Sequence, residues 1–351
     1  MFTNRMIRNL LVPVVLEQIL NSIMGTADTM MVSNVGSAAL SAVSLVDSIN
    51  VLLIQAFSAL AAGGAIVCAQ YIGQRNYEKA NMSARQVLFI ITAISVVVSA
   101  VCLIFQKPLL RLIFGAVDAD VMRASEIYFF FTALSFPFIA AYDSAASIFR
   151  AQENTKGPMT ISMISNIMNI GGNAVLIWVF HLGVAGAAIS TLVSRIFCAV
   201  VVLWQLRKDR QPVVVRDYLK IRPDWSMIGR ILGLGIPSGI ENSMFQLGKL
   251  AIQSTVSTLG TAAIAAQAMT NILENLNGIA AIGVGVGLMT IVGQCLGAGR
   301  KDEAVYYIKK LCVIAETIII VSCLIVYILV RPVTILGGME STSAEMCIHM
   351  I

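Results

Sequence analysis

Apolar stretches of about 20 residues follow one another along nearly the whole chain, and no other feature constrains it so tightly. A run of that length is what a helix needs to cross ~30 Å of hydrocarbon. A strand-built barrel would show ~10-residue segments of alternating polarity instead. The hairpin turn signals that join such segments do not occur. Charged residues make up 12% of the 351 residues and hydrophobic ones 58%, where soluble domains carry about 25% charge. The expected fold class is an all-α integral membrane protein. Nine spans are read at 10–33, 43–71, 87–106, 125–148, 159–180, 184–206, 228–254, 263–294 and 311–330, followed by the start of a tenth. The first stretch is too long for a signal-peptide core, and no small-residue cleavage site follows it.

The net charge of +5 gains meaning from its distribution. With the N-terminus inside, 18 Lys and Arg residues fall in cytoplasmic segments, among them Arg207, Lys208, Arg210, Arg216, Lys220, Arg222 and Arg230. Four fall on the other side: Lys107, Arg111, Arg123 and Arg331. This asymmetry is the positive-inside rule obeyed loop by loop. It predicts a multi-pass protein of the plasma membrane with a cytoplasmic N-terminus. The basic clusters are topology signals, so nucleic acid is not an expected partner. Within spans lie Arg195 and Lys249; the latter is placed near the outer face, snorkelling to the interface. The seven cysteines form no CxxC pair and read as small helix-packing residues. Two histidines, His181 and His349, give no basis for a His metal site. The glycines of "GVGVG" (283–287) lie within a span and predict close helix approach rather than a nucleotide loop.

The chain also repeats itself. An offset of 224 residues carries Pro13 onto Pro237 and Glu17 onto Glu241. Without a gap it carries "VSNVGSAALSA" (32–42) onto "VSTLGTAAIAA" (256–266), and "QYIG" (70–73) onto "QCLG" (294–297). The period spans six helices, an even number, so both copies insert the same way up. That is a parallel repeat about an axis along the membrane normal. The expected organisation is two tandem six-helix bundles: residues 1–207, a cytoplasmic linker at 208–225, and a second, incomplete bundle at 226–351 holding helices seven to nine and the start of a tenth. The sequence is expected to be a fragment of a longer chain.

Six stretches come in a fixed order along this repeat: "ADTMMVSNVGSAALSA" (27–42), "FRAQENTKGPM" (149–159), "NIMNIGGN" (166–173), "LGVAGAAIST" (182–191), "GIPSGIENSMFQLGKL" (235–250) and "QCLGAGR" (294–300). Together they resemble the MATE family, the multidrug and toxic compound extrusion transporters, over essentially the whole chain. The resemblance implies a V-shaped pair of bundles that opens alternately to either side. It implies export of small organic cations in exchange for H+ or Na+, with no cofactor beyond that ion. A monomer in the lipid bilayer is expected.

An intramembrane carboxylate costs roughly 3 kcal/mol to insert when charged, which makes each one a functional candidate. Asp28 matches the family's coupling aspartate, and Asn169, Asn173 and Thr191 match residues around it. One carboxylate, two amides and a hydroxyl make an oxygen-lined cation site, with Asp28 the ligand if the ion is Na+. Many members carry Asp where this chain has Asn173, which leaves the ion open. Glu17 and Glu241 each follow a proline by four residues and are expected as paired cavity-lining acids; for Glu241, "SGIE" (238–241) also fits a capping box. Glu274 and Gln267 on the eighth span, with Asn271, Asn275 and Asn277 beside them, are further cavity candidates. Asp47 and Asn50 take the positions that the repeat pairs with Asn271 and Glu274, and predict a watery cleft between bundles. Tyr142 and Asp143 interrupt the fourth span and are candidates for lining the first-bundle site.

Two other functions compete with the exporter. A lipid-linked oligosaccharide or peptidoglycan-precursor flippase of the same superfamily would be expected to carry several cavity arginines. A non-transporting receptor or scaffold would not need acids repeated in both halves. An enzyme is not expected: no HExxH and no Ser/His or paired-Asp catalytic motif is present.

Overall fold

The structure is a computed structural model that describes residues 2–114, 118–208, 211–216, 218, 222–257, 261–336, 345 and 347–349. Helix dominates them. The elements are α1 (Asn4–Ser33), α2 (Ser37–Gly73), α3 (Tyr77–Ile104), α4 (Gln106–Phe114), α5 (Ala119–Ala151), α6 (Lys156–Asn173), α7 (Val184–Leu206), α8 (Trp225–Ser257), α9 (Thr261–Gly297) and α10 (Lys301–Leu336). Each of the nine expected spans is carried mainly by one long helix, and eight of those helices hold a segment long and apolar enough to cross a membrane. The exception is α8. It has 33 residues, but Gly, Ser, Asn and Gln with Glu241 and Lys249 dilute its apolar content. Most helices outrun the apolar stretches because polar caps set their ends. Thr3 accepts a hydrogen bond from Met6 N at 3.3 Å, and Asn76 accepts one from Lys79 N at 3.1 Å.

Three features were not expected. The third span ends at Ile104, and the short α4 follows it, with Pro108 tolerated in its first turn. Beyond Asn173 the chain continues as a π-helical turn, Ala174–Val179. Third, the segment expected as a plain linker is stitched to the helices around it. Val213 and Val215 are fully buried. Val213 N donates to Gln152 Oε1 at 2.9 Å and Val214 N to Asn81 Oδ1 at 2.7 Å. Farther along, Gln86 Nε2 donates to Arg222 O at 2.7 Å and Gln86 Oε1 accepts from Asp224 N at 3.2 Å. The reason is local: two valines in an otherwise charged segment have apolar surface to hide, and three amides project from the helix ends beneath.

Helices α1–α7 are called the first group and α8–α10 the second; α8 and α9 pack against α2, and α9 also against α1 and α10. The end of the molecule that holds Phe2 is called the proximal end. There Phe2 N donates to Tyr307 Oη at 2.8 Å, and Lys310 Nζ donates to Asn4 Oδ1 at 2.7 Å. Backbones touch where glycine allows it. A Cβ on Gly73 would lie 2.1 Å from Gln294 O, and one on Gly297 would lie 1.9 Å from Gln70 O. The "GVGVG" glycines serve close approach, as expected: Gly283 sits against Val15 and Gly287 against Leu11. Toward the distal end, Ile23 and Met30 on α1 and Met244 and Phe245 on α8 are exposed. The expected tenth helix falls largely outside the described residues.

Candidate functional site

Two helices of the first group carry polar stripes. On α1 the positions are Glu17, Asn21 and Asp28; on α6 they are Ser162, Asn166, Asn169 and Asn173. Steps of three, four and seven keep each stripe on one helix face, and the two faces meet. Asn21 Oδ1 accepts from Ser162 Oγ at 3.0 Å and from Asn166 Nδ2 at 3.1 Å.

The distal end of the stripe is the Asp28 cluster. Asn173 Nδ2 donates to Asp28 Oδ1 at 2.6 Å. One end of the Asn169 amide also meets this carboxylate; with its nitrogen turned there, it donates to Oδ1 at 2.8 Å. The other end faces Thr191 Oγ1 at 3.3 Å. Asn169 and Asn173 are both 1% exposed, and Asn173 Oδ1 is buried with no hydrogen-bond partner. An unpaired buried acceptor costs free energy unless a donor or cation reaches it. Sequence reading named all four of these residues, and the fold brings them together. Gly172 lets α7 close in, since a Cβ there would lie 2.4 Å from Ser190 Oγ. The π turn begins directly after Asn173, as such turns often do beside functional groups.

Asp47 and Asn50 do not face the second group. Asp47 Oδ1 accepts from Asn50 Nδ2 at 3.1 Å and from Tyr128 Oη at 3.2 Å, so both belong to the interior between α2 and α5. The expected inter-bundle cleft is corrected for this pair: Tyr128 supplies a donor inside the bundle, and Asn50 is buried. Arg195 lies nearby on α7 and donates to Ser135 Oγ at 2.7 Å.

The proximal end of the stripe is built around Glu17. It is 2% exposed, and Arg150 Nη2 bonds both of its oxygens, at 2.9 and 3.0 Å. Tyr142 Oη lies 3.1 Å from Glu17 Oε1 and 3.2 Å from Pro158 O. At the next residue after Tyr142, Asp143 Oδ2 accepts from Ser58 Oγ at 2.6 Å. Glu17, Tyr142 and Asp143, singled out separately in the sequence, share one neighbourhood. Sequence reasoning missed Arg150, counted only as a loop cation. Its signal was its place two helical turns from the Tyr142–Asp143 pair (eight and seven residues), on the same face.

The second group is different. Glu241 lies exposed in the middle of α8, so the capping-box alternative is excluded: the helix starts at Trp225 and runs through Pro237. Lys249 Nζ pairs with Glu274 Oε1 at 2.9 Å, both partly exposed. Lys249 is thus not in a buried ion pair; its exposed partner is a carboxylate of α9 that the sequence reading did not assign to it. Gln267 Nε2 donates to Asn271 Oδ1 at 3.3 Å, and Asn277 bonds Ser322 of α10. The side chain of Asn275 lies outside the described residues. Among the described residues no cluster of His, Cys, Asp and Glu could hold a metal through three such side chains.

The sequence model of the MatE family matches residues 13–175 and 237–351. Probable multidrug resistance protein YoeA of Bacillus subtilis is 28% identical over 302 residues, covering 84% of this chain and 64% of that protein. Probable multidrug resistance protein NorM of Thermotoga maritima is 24% identical over 330 residues, covering 92% of this chain and 70% of its own length. The chain thus spans about two thirds of the relatives it matches. Among solved structures, a MOP superfamily transporter from Pyrococcus furiosus superposes with a TM-score of 0.90 at 19% identity, covering 98% of this chain and 76% of that one. An outward-facing multidrug resistance MATE family transporter gives 0.90 at 19% identity, over 97% and 76%. The matched segments take in the Asp28 stripe and the proximal contact alike: the chain belongs to the MATE family of multi-pass membrane transporters, a transporter family rather than an enzyme class.

Proposed function

We propose that the protein is a secondary antiporter that exports small organic cations across the plasma membrane in exchange for H+ or Na+, with Asp28 as the coupling group. The observation that carries this is the Asp28 cluster: one intramembrane carboxylate, two buried amides and the unpaired Asn173 Oδ1. The Asn169 amide suits a group that changes charge. Its nitrogen end fits a carboxylate, and its oxygen end fits a carboxylic acid. If the ion is Na+, Asp28 with the oxygens of Asn173 and Thr191 would be its ligands.

The alternation is between two six-helix bundles related by the 224-residue repeat. In support, the two segments matching the family open on the related prolines, Pro13 and Pro237. The proximal contact is also reciprocal: Gly73 meets Gln294 while Gly297 meets Gln70, and the offset exchanges these partners, as a two-fold axis requires. With the N-terminus cytoplasmic, as the Lys and Arg distribution favours, the proximal end faces the cytoplasm. The closed proximal contact then describes an outward-open state. The protein acts as a monomer.

The test is efflux of a fluorescent organic cation from liposomes under an imposed pH gradient, then a Na+ gradient, with Asp28→Asn alongside. Wild type responds to one gradient and names the ion. The variant inserts but loses gradient-driven export. Wild-type rates from Asp28→Asn would remove Asp28 from the coupling role. No response of wild type to either gradient would favour a lipid-linked substrate and a flippase assay.

A further inference from the structure

We propose that Glu17 is a second proton-carrying group in the transport cycle, and that Arg150 admits its proton only when the contact between α5 and α9 opens. The inference rests on the antiporter reading with H+ as the ion.

The first observation is a count of protons. Glu17 Oε1, Tyr142 Oη and Pro158 O stand in a row with gaps of 3.1 and 3.2 Å. Two gaps of hydrogen-bonding length share the single phenolic hydrogen. One more proton completes the row: a Glu17 carboxylic acid would donate to Tyr142 Oη, and Tyr142 would donate to Pro158 O. In the present state Arg150 occupies both carboxylate oxygens and keeps that proton out.

The second observation concerns what holds Arg150. It lies at the end of α5, where Arg150 O accepts from Glu153 N at 3.0 Å within the cap. Two side chains of α9 add to that cap. Thr290 Oγ1 donates to Arg150 O at 3.1 Å, and Gln294 Nε2 donates to Ala151 O at 2.9 Å. The residue that neutralises Glu17 is therefore anchored by its own backbone to the other helix group. Parting of the groups at the proximal end breaks both anchors and frees the arginine.

The third is the polar stripe. Asp28 lies eleven residues beyond Glu17 on α1, about 16 Å at 1.5 Å per residue, with Asn21, Ser162 and Asn166 between. These groups give a water-borne proton a polar wall along the α1–α6 seam. The charged and titratable neighbours of Glu17 are Tyr142, Asp143 and Arg150 on α5 and Cys198 on α7. Of these, Arg150 alone is ion-paired with it. The step balances simply. The proton leaves the Asp28 carboxyl for the Glu17 carboxylate, then leaves Glu17 for the cytoplasmic solution. Asp28 is left ionised for cargo, and Arg150, a cation throughout, returns to Glu17 on closure.

The test uses the double variant Glu17→Gln/Arg150→Gln, which keeps a neutral hydrogen-bonded pair, in liposomes with two readouts. One is exchange of labelled cargo for unlabelled cargo with no ion gradient. The other is cargo accumulation driven by a pH gradient, with internal pH recorded. The proposal expects gradient-driven accumulation and the pH signal to be lost while exchange, whatever its own rate, is retained. Gradient-driven accumulation at wild-type level would overturn it and leave the pair a structural tie. Loss of exchange by a folded double variant would also overturn it, because the pair would then serve cargo movement itself. Accumulation driven by Na+ alone in wild type would overturn it too. Absence of any transport by wild type would instead count against the antiporter reading.

Discussion

Glu17 and Glu241 occupy the same place in two copies of one sequence pattern, and their surroundings could hardly differ more. Glu17 is 2% exposed and holds Arg150 with both oxygens. Glu241 lies exposed on α8 without an ion pair or side-chain hydrogen bond among the described residues. A carboxylate removed from solvent must find a cation, or it loses its charge. One that protein does not enclose, like Glu241, is left without either among the described residues. The same contrast separates two ion pairs: Arg150–Glu17 has side chains 17% and 2% exposed, and Lys249–Glu274 has 36% and 52%. The acid of the first copy is built into the interior and that of the second lies on an exposed helix face, although Thr290 and Gln294 of the second group are buried too.

The contrast makes quantitative demands. The largest effect belongs to Glu17→Gln alone, which strands Arg150 in the interior. Breaking a buried pair in this way costs about 3–5 kcal/mol, and the loss should appear as a marked fall in the melting temperature in detergent. Glu241→Gln should stay within about 0.5 kcal/mol. Equal losses from the two variants would erase the distinction between the groups. Next come Gly73→Ala and Gly297→Ala, each of which pushes a methyl group into a backbone carbonyl across the proximal contact. Both should loosen the closed end, and by similar amounts if the contact is reciprocal. Alkylation of the buried Cys295 thiol, followed by peptide mass mapping, should rise about tenfold for a shift of about 1.4 kcal/mol. A rise in only one variant would break the symmetry argument. Smallest is Lys249→Met: a partly exposed pair contributes less than ~1 kcal/mol, and what it contributes should fade with added salt. A loss as large as that of Glu17→Gln would show that α8 and α9 bury this pair as fully as the first group buries its own.

Much of this was legible before any coordinates. Length and apolarity place all nine long helices because only helices satisfy the backbone in hydrocarbon. The Asp28 cluster is legible because its residues recur at helical spacing and match a known family. Arg150 is not legible in that way. Positive residues at helix ends report topology, and only the tertiary arrangement that brings Glu17 of α1 within 2.9 Å of its guanidinium shows that this one points inward. Asp47 and Asn50 misled for a related reason: repeat symmetry gives their position along a helix but not which neighbour they meet. The stitching of Val213 to Gln152 depends on partners 61 residues apart, which no local pattern can reveal.

That stitching has a mechanical meaning. Gln86 grips the backbone at Arg222 and Asp224, so the root of α8 is fastened to α3. α8 is held again farther along: Arg230 Nη1 donates to Tyr71 Oη at 2.7 Å, and Gly235 sits against the backbone of α2 at Leu60 and Gly63. The grip of Gln86 and this seam make α2 and α3 the bed along which the first half of α8 lies. Motion of α8 against the first group must slide or part that seam; it cannot turn about one residue.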